Sequence, residues 1–193
     1  MSDTVEFKAT LSRYLKARIP FISIRSAERS RVLELLREVS VELQAPIYVH
    51  TLSQGTRELG SNRTVNDDRS VTGAVDFASQ QFPQRQNLSV VLTEVSDIED
   101  DTPAARHLLD VVMLAAENSG CVVVITTKPV FGQLQRAGMS LVLSAPSEDE
   151  MLAIVQENLA AYRGHIPIEW DAADERRAAA ALAGVSRIEA ENI

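Results

Sequence analysis

The chain has a single cysteine, Cys121, so no internal disulfide can staple its fold. That thiol sits inside an apolar run, which fits a reducing, cytoplasmic setting. Aromatic residues make up only 5% of the 193 residues. No apolar run approaches the ~18 residues a membrane helix needs. The first residues, Met1-Ser2-Asp3-Thr4-Val5-Glu6, are acidic and lack the apolar centre of a signal peptide. Positive charge is also short: the formal net charge is −8, which argues against general nucleic-acid binding. The deficit is uneven. The first 50 residues hold 8 Lys+Arg against 6 Asp+Glu, a net of +2, and the rest hold 11 against 21, a net of −10. This asymmetry admits two readings, a solvated helix face or a surface complementary to an acidic neighbour such as a second copy.

Apolar strands and amphipathic helices alternate along the chain. Val5 to Lys16 has helical apolar spacing, and Pro20–Ile24 reads as a buried strand. A helix from about Ala27 to Leu43 follows, with Ser26 as its expected N-cap. Ile47–His50 is a second strand. Residues 52–69 are polar and read as one long loop. The pattern continues with a helix over 71–82, a strand over 88–93, a helix over 103–118 capped by Thr102, a strand over 121–125, a short helix over 130–136 and a strand over 140–143. This order predicts an α/β fold: a doubly wound, five-stranded parallel sheet with helices on both faces.

From Pro146 the character changes. A helix to about Tyr162 closes at Gly164, and a second runs over 171–182. A third segment begins at Ser186, with Glu189 placed for a capping box, and runs to Ile193 without a stop signal. The expected division is an α/β core over 1–145 and a small helical lid over 146–193, the lid continuing past Ile193.

In nucleotide-binding α/β proteins the turn after the first strand is rich in glycine and supplies a phosphate-binding lysine. Here it reads Arg25-Ser26-Ala27-Glu28-Arg29, and G-x-x-x-x-G-K-[ST] occurs nowhere. Arg25, Ser26 and Arg29 are the side chains that could still meet an anion at the bare helix start. Glu28 in the same turn already supplies negative charge and opposes a phosphate.

Other segments resemble the AAA+ ATPase family. Asn87-Leu88-Ser89-Val90-Val91-Leu92-Thr93-Glu94 is similar to a Walker B strand, with Thr93 where a magnesium-binding acid would stand. Thr126 or Thr127 lies where a polar sensor ends the fourth strand. Leu134-Gln135-Arg136-Ala137-Gly138-Met139 resembles the L-x-R-P-G-R segment, keeping its first arginine and replacing the second with Met139. More narrowly, the first turn with Ser26, Glu28 and Arg31 is similar to the element that replaces the P-loop in AAA+ proteins related to a hypothetical algal-chloroplast reading frame.

The resemblance implies a P-loop-less N-terminal AAA-like domain of a larger ATPase, followed by a complete module that carries ATP and magnesium. It implies self-association or a neighbouring AAA+ module as partner, with Arg136 at the interface, while the net charge and the lack of a long apolar run speak for no nucleic acid and no membrane. Glu94 is the one candidate for a water-polarising base, set against a plain strand-end carboxylate. Thr126 joins Arg25, Ser26 and Arg29 as a candidate nucleotide contact. Whether this chain is itself an enzyme stays open. An ATPase with an unorthodox phosphate loop and a stand-alone adaptor are the alternatives. Asp97, Glu99, Asp100 and Asp101 match no standard cation loop. His50, His107 and His165 show no metal-ligand spacing. Trp170 reads as a core residue of the lid.

Overall fold

A sheet of seven strands organises the computed structural model, which describes residues 4–162, 165 and 167–191. The strands are β1 (Phe21–Arg25), β2 (Ile47–Thr51), β3 (Gly55–Glu58), β4 (Thr64–Asn66), β5 (Ser89–Leu92), β6 (Cys121–Thr126) and β7 (Met139–Val142). Their order is β4-β3-β2-β5-β6-β1-β7. The run β2-β5-β6-β1-β7 is parallel, as the alternation implied. The five-strand expectation falls short by two. The polar stretch 52–69 is no simple loop, because β3 and β4 form an antiparallel extension of β2 within it. Short strands paired on one edge need no apolar run, so hydropathy did not mark them.

Alternate side chains of the central strands feed opposite faces. Phe21, Tyr48, Val90, Leu92, Val122 and Val124 pack one way, under α3 (Val71–Gln81) and α4 (Pro103–Glu117). Ile22, Ile24, Val49, Val91, Val123 and Ile125 pack the other way, against α1 (Thr4–Lys16) and α2 (Arg29–Leu43). Helix starts follow local chemistry. The Ser70 hydroxyl accepts the Gly73 N–H at 2.9 Å to open α3. Thr102 does the same for Ala105 at 3.1 Å in α4, with Pro103 in the first turn. A short helix, α5 (Gly132–Arg136), leads to β7. Between them Gly138 packs so tightly that a Cβ would lie 1.9 Å from the Phe21 carbonyl oxygen.

Residues 5–143 form one compact unit, and those from 144 onward, with Thr4, form another. In the second, α6 (Glu148–Tyr162), α7 (Ala172–Ala181) and α8 (Arg187–Glu191) gather around Met151, Ala179 and Ala190. Asp171 and Asp174 make a reciprocal capping box at α7. Ser186 and Glu189 do likewise at α8, as their spacing implied. Trp170 is 47% exposed rather than a core residue, and the cluster around Met151, Ala179 and Ala190 does not include it. Gly164, expected to close α6, and the chain end at Ile193 lie outside the described residues.

Candidate functional site

The C-terminal ends of parallel strands are where α/β folds place their sites. Here β1 ends at Arg25 and the chain bends at once. The Ser26 N–H donates to the Thr126 carbonyl at 3.0 Å, tying the turn to the end of β6. The Ser26 hydroxyl accepts the Glu28 N–H at 3.0 Å. Ser26 is thus a turn residue and not the expected N-cap. α2 begins two residues later than the pattern indicated, with Glu28 at the N-cap. The Glu28 side chain is only 7% exposed, and its Oε2 accepts from Arg31 Nη1 at 2.8 Å. Arg31 follows at i+3, one helical turn on, where helix geometry brings side chains together.

Arg29 points to the other strand end. Its Nη1 donates to Glu94 Oε1 at 2.5 Å. The second oxygen of Glu94 accepts the Leu52 N–H at 3.0 Å. One carboxylate therefore ties together the turns after β1, β2 and β5. The Leu52 amide, foremost, and Arg29 hold the Glu94 carboxyl below the usual range, against an opposing effect of burial. It is ionised at neutral pH and already engaged at both oxygens.

Thr93 is buried, and its hydroxyl donates to the His50 carbonyl at 3.0 Å. His50 itself is 1% exposed. Its Nδ1 lies 3.2 Å from Thr56 Oγ1, and by distance its Nε2 meets no hydrogen-bond partner among the described residues. Burial pushes the imidazole pKa down, opposed by the Arg69 main chain, Asp68 and Glu94. Thr126 is spent locally: its hydroxyl accepts the Lys128 N–H at 3.0 Å and donates to the Lys128 carbonyl at 3.1 Å. Arg25 is exposed at the end of β1. Arg136 is exposed at the end of α5, and among the described residues no hydrogen bond or ion pair joins it to the others.

The structure thus brings together Arg29 with Glu94, and Ser26 with the main chain of Thr126. Arg25 lies opposite Thr126 in the β1–β6 ladder with its side chain exposed, and Arg136 stands away at the end of α5. Two participants were missed from the sequence, the Leu52 amide and the buried His50, which carry no local signal. Glu28 and Arg31 are marked in the sequence, and only their i,i+3 pairing is added by the structure. A groove of about 1000 Å³ opens at the opposite ends of the strands, bordered by Arg18, Gln44, Asn87 and Ser119, and touches none of these residues. Two of the acids after β5 are paired, Glu99 with Lys128 and Asp101 with Arg106. Among the described residues no group of three or more His, Cys, Asp or Glu is placed to hold a metal.

The parallel order β2-β5-β6-β1-β7, with α2, α4 and α5 following β1, β5 and β6, is the frame that carries these side chains. The family model for the N-terminal domain of SpoVK-like AAA ATPases matches residues 7–143. The chain belongs to that family. None of the curated proteins matches its sequence. Among solved structures this SpoVK-like domain is similar to C. elegans PCH-2, with a TM-score of 0.59 at 8% identity, covering 98% of this chain and 61% of that one. It is similar to a chain of the E. coli MS115-1 HORMA:CdnC:Trip13 complex, with a TM-score of 0.56 at 11% identity over 91% and 72%. It is also similar to Thermotoga maritima RuvB, with a TM-score of 0.55 at 15% identity over 91% and 55%. These likenesses concern the fold. The SpoVK-like domain spans less than two thirds of the PCH-2 and RuvB chains.

AAA+ folds imply ATP and magnesium, and the residues of this SpoVK-like domain do not fit them. A phosphate chain at α2 would meet the buried Glu28 carboxylate in a turn without lysine. A magnesium ion would meet the Thr93 hydroxyl, a neutral ligand already turned to a carbonyl.

Proposed function

We propose that this chain is a non-catalytic AAA+ domain that serves assembly or partner recruitment, as the N-terminal part of a larger ATPase. The observation that carries the proposal is Glu94, the one acid placed to polarise a water. Both of its oxygens are bound, one to Arg29 and one to the Leu52 amide. Both bonds favour the ionised carboxylate and hold its pKa down, which weakens it as a base. ATP and magnesium then belong to a separate module of the parent protein, where hydrolysis takes place. The partner is that module or a second copy, met through a face that includes the exposed Arg136. The net charge of −8 speaks for protein and against nucleic acid as partner. Among the described residues no helix is long and apolar enough to cross a membrane, and a single buried thiol suits the cytoplasm. The narrower kinship with proteins related to the algal-chloroplast reading frame rests on Ser26, Glu28 and Arg31 alone.

Calorimetric titration with ATP and magnesium is the direct test. The expected result is no magnesium-dependent heat at micromolar nucleotide. Micromolar binding, or turnover abolished by Glu94→Gln, would instead make the chain an ATPase with an unorthodox phosphate loop.

A further inference from the structure

A groove and a loop of opposite charge lie at the two ends of the sheet. The groove, of about 1000 Å³, opens where β2, β5 and β6 begin. Lys16, Arg18 and Arg85 border it, and all three are exposed. Among the described residues none of them meets an acid. Arg18 Nη1 donates to the Ser119 hydroxyl at 3.1 Å, and Arg85 donates to the Tyr48 hydroxyl and lies over its ring. The acid in the lining, Glu58, is already engaged by Ser61 at 2.6 Å and Arg63 at 3.8 Å. The dipole of α1 favours a cation at its end. It does not account for Arg85, which follows a 3-10 turn over Phe82–Gln84, and neither α2 nor α4 has a basic residue in its last turn. Arg18, Gln44 and Ser119 stand at the rim with φ of 56°, 50° and 57°. Glycine takes this conformation without strain, so the chain keeps polar side chains here against the easier choice.

The loop after β5 stands at the other end of the strands. Its Asp97 and Asp100 are exposed and meet no base among the described residues, whereas Glu99 holds Lys128 and Asp101 holds Arg106. Ile98 anchors the loop: it is 1% exposed, and its carbonyl accepts the Phe131 N–H at 2.6 Å. The two free acids are thus presented from a fixed turn, which spares the entropy of ordering them on contact. The four residues of β5 alone, at ~3.3 Å each, put ~13 Å between groove and loop. Within one chain the two cannot meet.

We propose that the acidic loop of one copy docks in the basic groove of the next, with Asp97 and Asp100 facing Lys16, Arg18 and Arg85. The occupant is a second copy of this chain. The contact is heterologous, because each copy keeps a free groove at one end and a free loop at the other. Copies therefore stack head to tail in an open row. This docking rests on the reading that the domain serves assembly, and it names the partner and the surface.

Sedimentation of the chain in about 0.01 M and about 0.5 M sodium chloride is the test, since the screening length falls from about 30 Å to a few Å between them. Mass should grow with protein concentration at low salt, and high salt should weaken association ~10-fold or more. A chain that stays monomeric up to about 0.5 mM at low salt overturns the docking and leaves the groove to another occupant, and so does association that salt does not change. Two neutral variants locate the faces. Lys16→Gln with Arg18→Gln weakens the groove, and Asp97→Asn with Asp100→Asn disarms the loop. All four positions are exposed, so both variants should melt close to the unaltered chain, and the salt series needs neither of them. Each variant alone should stay monomeric. An equal mixture should give one-to-one pairs and nothing larger, because it holds one intact groove and one intact loop per pair. Rows from either variant alone, or a mixture without pairs, overturn the docking. A titration with ATP and magnesium, and sedimentation with the parent's ATPase module, separate the two proposals. Nucleotide binding removes the proposed function. Copies that do not stack but still join the ATPase module remove only the docking of loop in groove.

Discussion

Glu94 ends β5 with one oxygen on Arg29 and the other on the Leu52 amide. Both partners are half open to water, so the Arg29 pair contributes little, at most about 1 kcal/mol. Glu94→Gln should therefore lower urea stability by no more than that and leave ATP turnover at background. Because its folded pKa is depressed, the contribution of Glu94 is complete above the ordinary carboxyl value of 4.5 and is lost as pH falls through the folded value. His50 acts in a higher pH range. Its folded pKa lies below the ordinary 6.5, so the unfolded chain binds the proton first. Stability should be full above pH 6.5 and should fall as pH drops toward the folded pKa, by at most ~1.4 kcal/mol per pH unit. Urea unfolding between pH 5 and 7.5 (an interval of about two units around that value) should show this slope in the natural chain. It should be absent in His50→Gln. The groups that oppose the shift are the Arg69 main chain, Asp68 and Glu94, and Thr56 is the hydrogen-bond partner. Periodicity marks His50 as part of a strand, but its burial under the 66–70 segment is a matter of tertiary packing.

At the scale of elements, caps and close approaches decide where helices and strands begin. Thr102 and Pro103 announce α4 in the sequence, and the Thr102 hydroxyl caps it in the structure. Thr102→Ala should cost about 1 kcal/mol in urea unfolding, the ordinary cost of losing an N-cap. Gly138 is less visible, because its need arises from the Phe21 carbonyl on a strand distant in sequence. Gly138→Ala should push β7 away from β1 and cost about 1–3 kcal/mol, the range of an overpacked site. A midpoint shift smaller than that of Thr102→Ala would contradict this packing. The β3–β4 extension was illegible for a related reason. Its seven residues gain their order by pairing in turn, β3 on the edge of β2 and β4 on β3. Taken alone they are polar and too short to declare a strand pattern.

For the whole molecule, a family match over residues 7–143 and a fold shared with AAA+ proteins establish the architecture. The proposed role makes a prediction at this scale. Sedimentation of the chain with its parent's ATPase module should show association that Arg136→Ala weakens, and added ATP should have no effect on the chain alone. Equal association by both forms would remove Arg136 from the interface. The amino-acid sequence by itself determined the alternation of strands and helices, the parallel core and the loss of the phosphate loop. These follow from local period, cap residues and the absence of glycine and lysine in one turn, all properties of neighbouring residues. Tertiary structure alone decided that Glu28 is buried on Arg31, that Glu94 joins three strand ends, and that Thr93 turns to the His50 carbonyl. Burial and long-range hydrogen bonding depend on which segments meet across the sheet. Arg29 and Glu94 are 65 residues apart in the chain and touch only because β1 and β5 flank β6.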